Sequence, residues 1–121
     1  MKKITNPVLT DNIIEAITDK KGKKISILDF DGIESSPSSN FIICQGNSTS
    51  QVSAIADNIR EEIKKNLDIK PYGYDGYKNS QWIIIDYGET IVHVFLPLYR
   101  EYYNLEELWS DARITEIPDI D

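Results

Sequence analysis

Two strand-like runs, Trp82 to Asp86 and Thr90 to Leu96, are separated by Tyr87-Gly88-Glu89, and this spacing constrains the fold more than any other feature. Read as a two-residue turn with glycine at its first position, Gly88-Glu89 sets Tyr87 opposite Thr90, Ile85 opposite Val92 and Ile83 opposite Val94. Side chains alternate along a strand with period two, so the register fixes the faces. Ile83, Ile85, Tyr87, Val92, Val94 and Leu96 share an apolar face that belongs to a core. Trp82, Ile84, Asp86, Ile91, His93 and Phe95 share the other. A face that mixes a tryptophan, a carboxylate and the chain's one histidine is unusual for a merely wetted surface.

The rest of the chain supplies partners for this hairpin. Thr10 or Asp11 can cap a first helix with Ile13, Ile14 and Ile17 on one stripe, ended by Gly22. Ile25 to Phe30 and Phe41 to Cys44 read as buried strands around a Gly, Pro and Ser loop. Ser48 or Thr49 caps a long helix with Val52, Ile55, Ile59 and Ile63 on its inner side. Pro71 to Tyr74 suits a short edge strand. Pro97 stops the hairpin, and Asn104 with Glu107 forms a capping box for a last helix bearing Leu105, Leu108 and Trp109. Residues 113–121 read as a frayed acidic tail. The predicted order is αββαβββα: a two-layer α/β (α+β) domain over 1–121, core about 10–112, with helices on one face of a mixed sheet.

At 121 residues and 40% apolar content, one core is all the chain can build. A net charge of −7 argues against broad phosphate contact, which requires neutralising lysines and arginines, and favours a basic protein partner. The run Lys20 to Lys24 is read as a solvated turn. One cysteine suits a reducing compartment, and no segment reaches membrane-spanning length, so a cytoplasmic location is expected.

Two motifs suggest catalysis. Asp29 and Asp31 in LDFDG stand as nucleophile and acid would in a haloacid-dehalogenase-type phosphatase, but such chemistry needs later strands carrying a lysine and further carboxylates. Holding a turn is the better assignment. Gly46-Asn47-Ser48 is similar to the Gly-Ser turn of nucleotidyltransferases, yet no Asp-x-Asp pair follows to hold magnesium. A small metal-dependent phosphotransferase or nucleotidyltransferase is therefore the alternative function. Cys44 lies in an apolar run and His93 has no second soft ligand, so neither a reactive thiol, a metal nor a cofactor is expected. Asp86 is diagonal to His93, within reach of a charge-assisted hydrogen bond. Seven aromatic residues fall between Trp82 and Trp109, more than one side of a sheet absorbs, so two or three should be exposed as at a partner interface. Trp82, Asp86, His93, Phe95, Tyr99, Arg100 and Tyr103 are the candidate partner-binding residues, with Tyr72, Tyr74 and Tyr77 extending the surface.

Asp86-Tyr87-Gly88-Glu89, Val92-His93-Val94-Phe95, Arg100 to Glu106 and Leu108-Trp109 resemble the ribosomal silencing factor family, also called Iojap-related proteins. Phe41 to Cys44, Gly46 to Ser48 and Asp75-Gly76 before Trp82 are similar to further family segments, so the resemblance runs from about Thr10 to Ala112. It implies a nucleotidyltransferase-like fold without the catalytic residues. It also implies a non-enzymatic binding protein that attaches to the large ribosomal subunit through universal large-subunit protein number fourteen. There it would block joining of the small subunit when nutrients are scarce. Family members are often homodimers. The chain departs from the family at Asn40, where an Asp is usual, and at Pro37 with its extra serines.

Overall fold

The computed structural model describes residues 6–119. Helix α1 (Pro7–Asp19) starts from Asn6, whose side-chain oxygen accepts from the N–H groups of Val8 and Leu9, with Pro7 supplying a preset first turn. The start lies ahead of the predicted Thr10 because asparagine followed by proline outcompetes it. Helix α2 (Thr49–Leu67) is capped by Ser48, which accepts from the Gln51 N–H, as anticipated.

Strands β1 (Lys23–Asp29), β2 (Asn40–Gln45), β3 (Gly73–Asp75), β4 (Trp82–Asp86), β5 (Thr90–Phe95) and β6 (Arg113–Ile117) form one sheet in the order β3-β4-β5-β2-β1-β6. All pairings are antiparallel except β2 with β5. The hairpin has the expected register, Ile85 beside Val92 and Ile83 beside Val94, closed by the Tyr87 N–H donating to the Thr90 carbonyl at 2.9 Å. Gly88 takes a φ of 84°, which a side chain would oppose.

The tail expectation fails for β6. Arg113–Ile117 pairs along β1, and Asp119 then accepts from the Lys24 N–H at 2.8 Å. The short run becomes a strand because β1 offers it an open edge. Residues 120–121 lie outside the described part.

The sheet carries a core on each face. On one, Leu9, Ile13 and Ile17 of α1 and Val52, Ile55, Ile59 and Ile63 of α2 pack against Ile42, Ile83, Ile85, Val92 and Val94. On the other, Leu28, Phe30, Phe41, Ile43 and Phe95 form a smaller cluster under Leu105 and Ala112, with Trp82, Tyr99 and Trp109 around it. The two long helices thus lie on one face as anticipated. Two further short helices, α3 (Pro97–Tyr103) and α4 (Leu105–Leu108), cover part of the opposite face. Pro97, read as a stop, is also the opening residue of α3. Asn104 has a left-handed φ of 43° and joins α3 to α4, donating to the Glu107 side chain rather than making the predicted capping box.

Candidate functional site

Arg100 locks α3 to the sheet. Its Nε and Nη2 donate to Glu106 Oε1 at 3.1 and 2.8 Å, Nη1 donates to the Lys24 carbonyl at 2.6 Å and Gln45 Oε1 at 3.2 Å, and Nη2 reaches Ser26 Oγ at 3.1 Å. Lys24 sits where the β1 register shifts, with a φ of 55°. These contacts engage every donor of the guanidinium fork. Arg100, a candidate for partner contact, is thereby committed to partners inside the chain.

Trp82 and His93 sit diagonally across β4 and β5, where His93 pairs with Ile84 and Trp82 with Phe95. The Trp82 indole N–H donates to His93 Nδ1 at 3.1 Å. The indole stacks on Phe95 at 5.0 Å between centroids and 19° between planes, and meets Tyr103 at 4.7 Å. Phe95 is fully buried and His93 nearly so, with the Phe41 ring 4.4 Å away. Burial pushes the His93 pKa down to about 3. The ring is therefore neutral, and accepting at Nδ1 places its proton on Nε2.

The anticipated Asp86–His93 hydrogen bond is not formed. Asp86 Oδ1 instead accepts from the Gly88 N–H at 2.7 Å. Asp86 is the last residue of β4, so its carboxylate reaches the unpaired donor of the turn, while the indole takes the histidine acceptor. Of the candidates, Phe95 and His93 form the floor, Trp82 and Tyr99 are half-buried above it, and Tyr103 reaches solvent.

The most exposed apolar side chains nearby were not among the candidates. Leu98 on α3 is 72% exposed, Tyr102 79% and Leu108 on α4 70%. Leu98 and Tyr102 are four residues apart and share one helix face, and the Tyr102 ring meets Tyr103 edge-on at 5.0 Å. That spacing was visible in the sequence. Leu105 and Trp109 dock α4 and its end, Trp109 packing on Phe30 at 5.1 Å, and Leu108 points outward. Tyr74 and Tyr77 do not extend this surface. Tyr74 pairs with Ile85, on the face of α1 and α2, and the Arg60 guanidinium of α2 lies 3.6 Å from its ring centroid.

The catalytic motifs serve local structure. Asp29 Oδ1 accepts from the Asp31 N–H at 2.9 Å, the turn role assigned to the pair. At the start of α2, Gln51 Oε1 accepts from the Asn47 N–H at 2.7 Å, and its amide donates to the carbonyls of Lys20 and Lys21. The chain's own side chain thus occupies one of the donors an anion there could use. Cys44 is buried, which pushes its thiol up to about 12. Among the described residues no three His, Cys, Asp or Glu side chains cluster as metal ligands would.

The architecture defines a mixed α/β protein with an open six-stranded sheet, one face sealed by two helices and the other by an aromatic layer beneath an exposed helical ridge. Residues 3–121 match the family described as "Ribosomal silencing factor during starvation". The chain belongs to that family. It is 38% identical to the ribosomal silencing factor RsfS of Halalkalibacterium halodurans, across 94% of this chain and 96% of that one. It is 40% identical to RsfS of Bacillus subtilis, across 84% and 85%. A crystal structure of a Chromobacterium violaceum protein superposes with a TM-score of 0.81 at 33% identity, covering 88% of each chain.

Proposed function

We propose that this protein binds the large ribosomal subunit through universal large-subunit protein number fourteen. There it blocks joining of the small subunit by steric exclusion and so represses translation under nutrient limitation, without a chemical step. The reading places the protein in the cytoplasm with the ribosomes. The observation that carries it is the ridge of Leu98, Tyr102 and Tyr103 on a helix fixed to the sheet by Arg100, in a chain that belongs to the silencing factor family. An exposed apolar and tyrosine-rich ridge on a rigid support is the usual form of a partner surface. The net charge of −7 suits a basic ribosomal protein and disfavours broad contact with rRNA.

The test is sedimentation with purified subunits, followed by subunit reassociation. The protein should travel with large subunits and not small ones, and should inhibit reassociation at roughly stoichiometric amounts without nucleotide. Binding confined to small subunits, or full reassociation at saturating protein, would refute the proposal.

A further inference from the structure

We propose that His93 is a positioning residue for the partner surface, its Nδ1 holding the Trp82 indole in the orientation that supports Tyr103. The proposal rests on the reading given above and adds a residue that acts on the partner without touching it. An indole laid on a sheet chooses between two ring orientations, because the torsion next to an aromatic ring is roughly two-fold. Stacking on Phe95 favours neither. The hydrogen bond to Nδ1 at 3.1 Å does, since only one orientation brings Nε1 to that acceptor. The acceptor is itself fixed, buried on β5 with the Phe41 ring 4.4 Å away. From it a continuous series of contacts runs outward: Trp82 to Tyr103 at 4.7 Å, then Tyr103 to Tyr102 at 5.0 Å. It begins in the interior and ends on a side chain that is 79% exposed.

The other ring nitrogen supports the same assignment. Among the described residues His93 Nε2 is buried and has no hydrogen-bond partner, a cost that an apolar residue of similar size would avoid. A phenylalanine would fill this aromatic layer without it. What phenylalanine lacks is the acceptor, so the polar ring is explained by the bond it makes to Trp82.

The experiment compares wild type with His93→Phe, which keeps a ring but no acceptor, and His93→Asn, which restores an acceptor near the position of Nδ1. Readouts are the exchange rate of the Trp82 indole N–H, its through-space NMR contacts to Tyr103, and affinity for purified large subunits. We expect slow indole exchange in wild type. In folded His93→Phe the Trp82–Tyr103 contacts should weaken and affinity should fall about fivefold, the size of one net hydrogen bond, with substantial recovery in His93→Asn. Wild-type affinity and unchanged Trp82–Tyr103 contacts in folded His93→Phe would overturn the proposal. Should that variant not fold, wild-type indole exchange as fast as a free indole would overturn it equally. Failure of wild type itself to bind large subunits would refute the functional reading instead, with the indole contacts still deciding whether His93 orients Trp82.

Discussion

Thr90 Oγ1 donates to Asn40 Oδ1 at 2.6 Å, joining the first residues of the two strands that run parallel at the centre of the sheet. Both residues are buried. The neutral amide of Asn40 avoids burying a charge at this position. Thr90→Val keeps the shape and removes the donor, leaving the asparagine oxygen without its threonine partner. The variant should lose about 1–3 kcal/mol of stability, measured by urea unfolding; an unchanged midpoint would show that the bond contributes nothing.

Two glycines with positive φ should respond differently to alanine. At Gly88, φ 84°, an added Cβ would meet only the exposed ring of Tyr72, at 2.8 Å, which can swing away. Gly88→Ala should therefore cost little more than its left-handed backbone, about 1–2 kcal/mol. At Gly76, φ 102°, the Cβ would lie 2.1 Å from the Trp82 carbonyl oxygen, which is backbone. Gly76→Ala should destabilise more and also disturb the start of β4, read as a larger fall in melting temperature together with altered indole resonances. Equal losses at both sites would contradict this account.

His93 makes stability depend on pH. Its ordinary pKa of 6.5 falls to about 3 in the folded state, so between these values the unfolded chain binds the extra proton. The stabilisation is present above pH 6.5 and is lost as pH falls toward 3. The slope approaches about 1.4 kcal/mol per pH unit, or roughly 2 kcal/mol by pH 5. Urea unfolding at pH 7.5 and 5.0 should show this loss in wild type, and a folded His93→Phe variant should lose that much less between the same two values.

Tyr102 offers the cleanest separation of binding from folding. Its side chain is 79% exposed, so Tyr102→Ala should shift stability by no more than about 0.5 kcal/mol. If the ridge is the partner surface, affinity for the large subunit should drop by roughly thirtyfold, as at an interface hot spot costing about 2 kcal/mol. Unaltered affinity would move the contact away from α3.

The hairpin was legible because a tight turn and period-two alternation leave one register, and Ile83, Ile85, Val92 and Val94 all face the helices as that register requires. The site was less so. Proximity across a ladder placed Asp86 near His93, but partner choice depends on competing donors, and the Gly88 N–H and the Trp82 indole are invisible to a register argument. A cluster of aromatics does not declare which rings are inside: Phe95 is fully buried and Tyr102 is 79% exposed. Strand β6 was missed because its pairing is entirely long-range, Ile25 with Ile117 among others.

That last pairing has a bearing on how the molecule stays dispersed. Strand β1 backs onto both cores through Ile25 and Leu28, so an uncovered β1 would offer other chains an unpaired edge beside buried apolar side chains. Placing β6 over it moves the boundary outward to a strand bearing Arg113 and Glu116, while the opposite boundary, β3, is only three residues long. Short or charged borders discourage strand-to-strand association between molecules. The segment from Arg113 to Ile117 thus acts as a guard strip, and a chain cut after Ala112 would be prone to stick to its own copies.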